Sequence, residues 1–161
     1  MVVEKPPATP AVLFLRERGV EFRPHSYRYD KGDVTGSAAR EVGVSTHEVV
    51  KTLVMEDDEG NPFIVLMHGD MQVSTKNLAR TIGVKSVSPT DRRTAKRLTG
   101  YDIGGISPFG TRRELPVYVE GTILKLPRFF INGGRRGLLL EITPRDLVKV
   151  LDTIVVNVAR D

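Results

Sequence analysis

The segment Val49–Met55 places hydrophobic side chains on both faces of a predicted β-strand. Side chains along a strand alternate between its two faces. One face therefore takes Val49, Lys51, Leu53 and Met55, and the other takes Val50, Thr52 and Val54. Because both faces are largely apolar, we expect other parts of the chain to cover this strand on both sides.

Other segments supply partners for this strand. An acidic turn over residues 57–62 separates Val49–Glu56 from the apolar run Phe63–His68, a pattern typical of a β-hairpin. Further predicted strands are Phe22–Tyr27, Pro116–Val119, Phe129–Ile131, Leu138–Ile142 and Ile154–Val158.

Three Ser/Thr–Pro pairs, beginning at Thr9, Ser88 and Thr143, predict helix N-termini. The hydroxyl accepts an unpaired backbone N–H, and proline suits the first helical position. The predicted helices cover residues 10–18, 36–43, 75–82, 89–98 and 144–151, the second ending at Gly43 and the third running from a Ser74 cap to Gly83. Strands mixed with helices in this order predict an α+β fold, with helices packed on a mixed sheet.

The length of 161 residues corresponds to one ordinary domain. We expect that domain to occupy residues 1–161, with residues 1–8 as a loosely held N-terminal segment. No apolar run approaches the roughly 18–20 residues of a membrane span. The sequence therefore predicts a cytoplasmic protein without a membrane segment.

The chain contains no cysteine, which excludes disulfides, thiolate metal sites and a protein thiol nucleophile. The three histidines, His25, His47 and His68, show no metal-ligand spacing with one another or with nearby carboxylates. Surface or packing roles are therefore the better interpretation of each, and no metal site is predicted.

Lys51 interrupts the apolar strand. A lysine in that position loses water, so its ammonium must find a partner or becomes easier to deprotonate. One interpretation is a functional lysine lining a pocket. The other is a structural lysine whose stem packs while its head reaches solvent.

Two glycine-rich segments are candidate ligand loops. Residues 104–110 contain three glycines and one proline, and such bare backbone lets a ligand approach main-chain N–H groups. The spacing matches neither a nucleotide-binding loop nor a nucleophile elbow, so Ser107 is a poor candidate nucleophile. Residues 132–137 begin with Asn-Gly, a strong hairpin signal, and the Asn132 amide is the candidate pocket group there. A purely structural turn remains an alternative for both segments.

The positive charges are concentrated between residues 76 and 97, although the net charge of the chain is only +4. This stretch holds seven basic residues and one acid, Asp91. Six of the basic residues are candidate contacts for the phosphates of a polyanionic partner: Lys76, Arg80, Arg92, Arg93, Lys96 and Arg97. A solvated helix face is the alternative interpretation.

The order and spacing of several short motifs together resemble the YbaK family of aminoacyl-tRNA deacylases, which is related to the editing domain of prolyl-tRNA synthetase. The resemblance runs over nearly the whole chain. It is carried by Thr9-Pro10-Ala11, His25-Ser26-Tyr27, Lys51-Thr52-Leu53, Thr99-Gly100-Tyr101, Gly104-Gly105-Ile106-Ser107-Pro108, Gly133-Gly134-Arg135-Arg136-Gly137 and Glu141-Ile142-Thr143-Pro144.

The resemblance implies a single domain with a barrel-like mixed sheet surrounded by helices. It also implies hydrolysis of the ester that joins a wrong amino acid to the 3′ adenosine of tRNA, without a metal or organic cofactor. Lys51 matches the essential pocket residue of the family. The substrate-binding positions implied are Tyr27, Thr52, Gly104, Gly105, Ile106, Ser107, Pro108, Asn132, Gly133 and Gly134.

The glycine motifs look most like the branch that removes cysteine from tRNA(Pro), in which the substrate thiol is thought to attack its own ester. Two departures bear on this choice: Asn132 stands where that branch often has Ser, and Val34-Thr35-Gly36 stands where it often has an aromatic residue. Removal of alanine or another small amino acid is therefore an alternative.

Two alternatives to catalysis are open: a module that binds tRNA or a synthetase, and a small-molecule-binding protein. The expected partner is aminoacylated tRNA, with the six basic residues between 76 and 97 as its candidate contacts and prolyl-tRNA synthetase as a second candidate partner. The chain is expected to be a monomer or a weak dimer.

Overall fold

The computed structural model describes residues 5–161. Its five α-helices are α1 (Pro10–Glu17), α2 (Val34–Val42), α3 (Thr75–Ile82), α4 (Arg92–Thr99) and α5 (Pro144–Val150). Two 3₁₀ helices cover Thr46–Glu48 and Gly121–Lys125. Within the described range, no helix is both long enough and apolar enough to cross a membrane.

The ten strands are β1 (Arg23–Ser26), β2 (Val49–Asp57), β3 (Pro62–His68), β4 (Gln72–Val73), β5 (Val87–Pro89), β6 (Val117–Glu120), β7 (Phe129–Asn132), β8 (Leu138–Ile142), β9 (Thr153–Val156) and β10 (Ala159–Arg160). Eight form one sheet in the order β1-β8-β7-β2-β3-β6-β9, with β5 also paired to β2. Parallel and antiparallel pairs are mixed, because β2/β7, β3/β6 and β6/β9 are parallel. The predicted mixed sheet with helices around it is confirmed.

Strand β2 pairs with three other strands, and this pairing leaves a gap in the sheet. One edge pairs with β3 from Val50 to Glu56. The other edge pairs with β7 only at Val49 and Val50, and with β5 only from Met55 onward. Residues 51–54 consequently have a neighbouring strand on one edge alone, and the sheet has a gap beside them.

The two faces of β2 contact different hydrophobic clusters. Val50 and Val54 belong to the largest cluster. On the opposite face, Met55 packs in a second cluster and Val49 in a third. Both ends of the strand are thus covered on both sides, as expected, while Lys51 lies on the second face between two clusters.

Most of the predicted helix caps are observed. The hydroxyls of Thr9, Ser74 and Thr143 accept hydrogen bonds from backbone N–H groups three residues later. Gly43 and Gly83 end their helices in the left-handed conformation. The predicted loose N-terminus lies partly outside the described residues, and residues 5–8 form no helix or strand.

The predicted helix start at Ser88 is wrong. Residues Val87–Pro89 instead form β5, where Ser88 pairs with Glu56 of β2. Helix α4 begins three residues later than predicted, and its N-cap is Asp91, whose carboxylate accepts from the Thr94 N–H at 2.7 Å. Pairing with a distant strand therefore prevails over the local Ser-Pro signal.

Candidate active site

A cleft of about 360 Å³ lies beside the open edge of β2. Three parts of the chain enclose it: α2, the loop that contains Ile103 and Gly104, and the segment from Pro89 to Ala95. Its floor is residues 49–55 of β2. The gap in the sheet is therefore the place where a ligand reaches the strand.

Lys51 is the cationic group on the floor of the cleft. Its side chain is half-buried, and its ammonium donates a hydrogen bond to the backbone carbonyl of Met71. Burial lowers the pKa of Lys51 below its usual value, an effect that the negative charge of Asp70 partly opposes. A lysine in this setting is available to pair with a partial negative charge that develops on a bound ligand.

Thr52 supplies two kinds of polar group to the same place. Within residues 5–161, its hydroxyl is the one buried side-chain polar atom without a hydrogen-bond partner. Its backbone groups also face the cleft. Thr90 N–H donates to the Val54 carbonyl on this edge, at 3.1 Å, and alternate residues of a paired strand direct their N–H and C=O groups to the same edge.

Asn132 joins the two glycine-rich segments at the wall of the cleft. Its side-chain N–H donates to the Gly104 carbonyl at 3.0 Å, and its side-chain oxygen accepts from the Gly134 N–H at 2.7 Å. The Asn-Gly signal is also confirmed as structural, because β7 and β8 form an antiparallel hairpin. The pocket and turn interpretations of this residue thus hold together.

The wall next to Asn132 is mostly apolar. Tyr27, Val34, Ala38 and Leu139 line it. Burial raises the pKa of Tyr27, so its phenol stays neutral at physiological pH. This wall suits a small side chain without charge.

The structure brings six of the predicted site residues to the cleft: Tyr27, Lys51, Thr52, Gly104, Ile106 and Asn132. The others lie behind it. Ser107 is fully buried, with its hydroxyl accepting from the Phe109 N–H, and Pro108 lines a separate groove.

The remaining predicted glycines are spacers behind the cleft. A β-carbon at Gly105 would lie 2.9 Å from the Arg135 backbone. One at Gly133 would approach Leu138 within 2.7 Å, and one at Gly134 would approach Tyr101 within 2.9 Å. Absence of a side chain at these positions lets the two loops pack closely.

The six basic residues proposed for tRNA are all exposed, but they do not form one surface at the cleft. Arg92 lines the cleft. Arg93, Lys96 and Arg97 share α4 with it, whereas Lys76 and Arg80 line a groove between α3 and β5. Lys96 is paired with Asp102 at 2.7 Å.

Sequence spacing did not reveal a cluster of His47, His68 and Asp70, whose potential ligand atoms lie within 4.8 Å of one another. The two imidazole rings stack at 3.7 Å, and His47 contacts Asp70 at 3.0 Å. His68 donates through Nδ1 to the His47 carbonyl, so its Nε2 accepts from the Thr122 hydroxyl. Because both ring nitrogens of His68 are bonded to protein groups, this cluster is better suited to packing than to holding a metal.

Sequence reasoning missed several cleft residues because no local pattern marks them. Val34, Thr35 and Ala38 come from α2, and Leu139 comes from β8. Ile103 is the exception, because an exposed isoleucine next to a glycine loop is a recognisable signal of a contact surface.

Comparison with known proteins gives a consistent assignment. Residues 33–150 match the family described as "Aminoacyl-tRNA editing domain". A protein of Enterococcus faecalis, named "Putative Cys-tRNA(Pro)/Cys-tRNA(Cys) deacylase EbsC", is 23% identical over 143 residues, which cover 88% of this chain and 87% of that protein. The proline–tRNA ligase of Brachyspira hyodysenteriae is 21% identical over 56% of this chain, but the match covers only 16% of the ligase.

The fold agrees with this result. A solved structure described as "a putative trans-editing enzyme for prolyl tRNA synthetase" superposes with a TM-score of 0.82 at 23% identity, covering 98% of this chain and 100% of that one. The family match spans well over half of the sequence. This chain therefore belongs to the aminoacyl-tRNA editing domain family.

Proposed function

We propose that this protein removes cysteine from mischarged tRNA(Pro) in trans, with the aminoacyl ester held in the cleft beside Lys51 and Gly104. Membership of the editing family makes the chain an aminoacyl-tRNA deacylase. The names of its relatives support cysteine and tRNA(Pro) as the specific substrate. Because its proposed substrate is charged tRNA, we expect the protein to be cytoplasmic.

One observation carries the proposal: the sheet opens beside a half-buried lysine, so that Lys51 and the unpaired edge of β2 line the same cleft. Lys51 and Thr52 occupy adjacent positions of that edge. Donors that are fixed before the reaction stabilise charge as it develops, and one such donor contributes about 2.7–4 kcal/mol in other hydrolases. The cleft thus has the groups needed to polarise an ester carbonyl.

The proposed chemistry uses the thiol of the substrate. The cysteine sulfur forms a bond to the carbonyl carbon of its own ester, the bond from that carbon to the ribose oxygen breaks, and the thiol proton ends on the ribose oxygen. Water then opens the four-membered thiolactone to free cysteine. Lys51 and Thr52 would donate to the carbonyl oxygen while it carries negative charge, and Asn132 would fix the Gly104 loop around the aminoacyl group.

The size and lining of the cleft favour a small amino acid. A volume of about 360 Å³ is near the lower end of ligand pockets, and no acidic side chain lies on the wall formed by Tyr27, Val34, Ala38 and Leu139. Cysteine and alanine both fit this description. A pocket discriminates between side chains this similar by only about 1–3 kcal/mol of binding free energy. The thiol chemistry must therefore supply further selectivity.

The exposed arginines of α4 are the proposed contacts for tRNA phosphates. Arg92 is at the cleft, and Arg93 and Arg97 continue along the same helix. Lys96 lies on the same helix, and Lys76 and Arg80 would be a second contact in the groove between α3 and β5. Prolyl-tRNA synthetase is a candidate partner that would deliver the tRNA.

The proposal is tested by charging tRNA(Pro) separately with cysteine, alanine, serine and proline and following release of each amino acid. We expect cysteine to be released fastest and proline to be retained. If alanine is released fastest, alanine rather than cysteine is the preferred substrate. Release no faster than in buffer for all four would refute the enzyme proposal.

The alternative of a non-catalytic tRNA-binding module is favoured by the exposed arginines of α4. Neutralising Arg93 and Arg97 should weaken tRNA binding and reduce its dependence on salt by about one unit of slope per phosphate contact. If tRNA is bound in this manner without hydrolysis, the module is the correct interpretation. A binding constant that is insensitive to salt would remove α4 as the tRNA surface.

A further inference from the structure

The rim of the cleft carries an exposed apolar residue next to a held arginine. Ile103 is 44% exposed, and it is the one large exposed hydrophobic residue of the described chain that lines the cleft. The neighbouring Arg136 is exposed as well. An apolar group and a planar cation at the mouth of a ligand cleft point to a ligand with a flat, partly apolar surface.

Arg136 is held in a defined orientation. Its Nε–H donates to the Ile103 carbonyl at 2.8 Å, and its guanidinium carbon lies 4.8 Å from the centre of the Tyr29 ring. The guanidinium carbon thus lies over the Tyr29 ring. Because the Arg136 side chain is exposed, its guanidinium is also accessible to a second planar group.

Tyr29 is anchored to the wall of the cleft through Gly104. A β-carbon at Gly104 would lie between 2.6 and 2.9 Å from atoms of the Tyr29 ring, so the ring packs directly on bare backbone. Gly104 has φ of +86°, a conformation that L side chains rarely adopt. Gly104, Tyr29 and Arg136 thus pack in series, starting from the loop that lines the cleft.

The charges beside this stack favour a polyanionic ligand. Lys96 forms an ion pair with Asp102 at 2.7 Å. The hydrogen bond and charge of Lys96, followed by the charge of Arg136, hold the pKa of Asp102 below its usual value. Since these two cations flank a single carboxylate, the rim retains a net positive charge.

We propose that Tyr29, Ile103 and Arg136 form a platform on which the 3′-terminal nucleobase of the charged tRNA stacks while its aminoacyl ester enters the cleft. This inference rests on the proposed function. Guanidinium planes and aromatic rings both stack on unpaired bases. A nucleobase is favoured over a phosphate because the guanidinium lies over an aromatic ring and because apolar Ile103 adjoins it.

The test compares two non-hydrolysable probes. One is 3′-deoxy-3′-cysteinylamino-adenosine, and the other is the same compound with the adenine removed. Stacking of one base changes affinity by roughly five- to a hundredfold. We expect the wild-type protein to prefer the adenine probe by about tenfold, as measured by isothermal titration calorimetry.

Arg136→Lys keeps the charge and removes the plane, and Tyr29→Leu removes the ring. Each should reduce the preference for adenine toward one while leaving binding of the adenine-free probe unchanged. The matched control is Arg135→Lys, since Arg135 is the exposed neighbour and should leave both affinities unchanged. Unfolding midpoints similar to wild type would show that the variants fold.

An unchanged adenine preference in both variants would refute the platform. So would an equal loss for both probes. A loss seen only with a 5′-phosphorylated probe, and abolished by salt, would assign Arg136 to phosphate instead. The assay needs no turnover, so a protein that hydrolyses no charged tRNA but shows the Arg136-dependent preference would refute the proposed function alone.

Discussion

Lys51 occupies a strand face on which Val49 and Met55 are almost fully buried. The apolar pattern predicted this conflict between charge and burial. The structure shows how it is accommodated: the ammonium keeps one partner, the Met71 carbonyl, and its pKa is lowered by burial. Charge at this position therefore opposes folding, which is the pattern expected if Lys51 has the proposed role in ligand binding.

Replacing Lys51 with Met should remove a pH-dependent contribution to stability. The folded pKa of Lys51 lies below the value of 10.5 expected for an exposed lysine. Between those two values the unfolded chain binds the proton more tightly, so wild-type stability gains with rising pH. We expect the free energy of unfolding of wild type minus that of Lys51→Met to increase from neutral pH toward 10.5. Urea denaturation at several pH values measures this difference, and a constant difference would contradict the burial argument.

Thr52 should show opposite effects on stability and activity. Its buried hydroxyl has no partner within the described chain. Thr52→Val removes that unpaired group with little change of shape and should increase stability by about 1 kcal/mol. If the hydroxyl contacts substrate, the same change should slow deacylation about tenfold or more. The control Thr52→Ser keeps the hydroxyl and should stay active. An inactive Ser variant together with an active Val variant would show that the hydroxyl does not contact the substrate.

Helix α4 shows where local sequence patterns predict a helix start correctly and where they do not. The chemistry of a single turn predicts α1, α3 and α5, because each cap is satisfied within a few residues. It fails at Ser88 because β5 pairs with a distant strand. The sequence identifies the helix but not its start, and Arg92 thereby comes to lie in the first turn of α4, at the cleft.

The observed cap predicts a measurable difference between two neighbouring residues. Asp91→Ala removes the acceptor for the Thr94 N–H and should lower the free energy of unfolding by about 1 kcal/mol. Ser88→Ala is the matched control, since Ser88 is exposed and caps no helix, and it should cost less than about 0.5 kcal/mol. Chemical denaturation of both variants measures this contrast. Equal losses would mean that the helix begins at Ser88 after all.

At the scale of the whole molecule, the cleft exists because β2 pairs with β7 at one end and β5 at the other. The mixed sheet was predictable from the run of strands and helices. Lys51 and the two glycine-rich segments were candidates from their local patterns, whereas Tyr27 and Thr52 were implied only by the family resemblance. That these residues meet in one cleft was not predictable from local patterns, because their meeting depends on long-range pairing. Two residues of the apolar wall, Ala38 and Leu139, had no signal, since they look like ordinary core residues.

The proposed role of Lys51 in deacylation is tested by single-turnover rates with Cys-tRNA(Pro). These rates are compared between wild type, Lys51→Met and Lys149→Met. Lys149 is exposed on α5 and provides the matched control. We predict rapid release of cysteine by wild type and Lys149→Met, and a loss of about a hundredfold or more in folded Lys51→Met. A folded Lys51→Met protein that retains the wild-type rate, or a wild-type rate equal to that in buffer, would contradict the account.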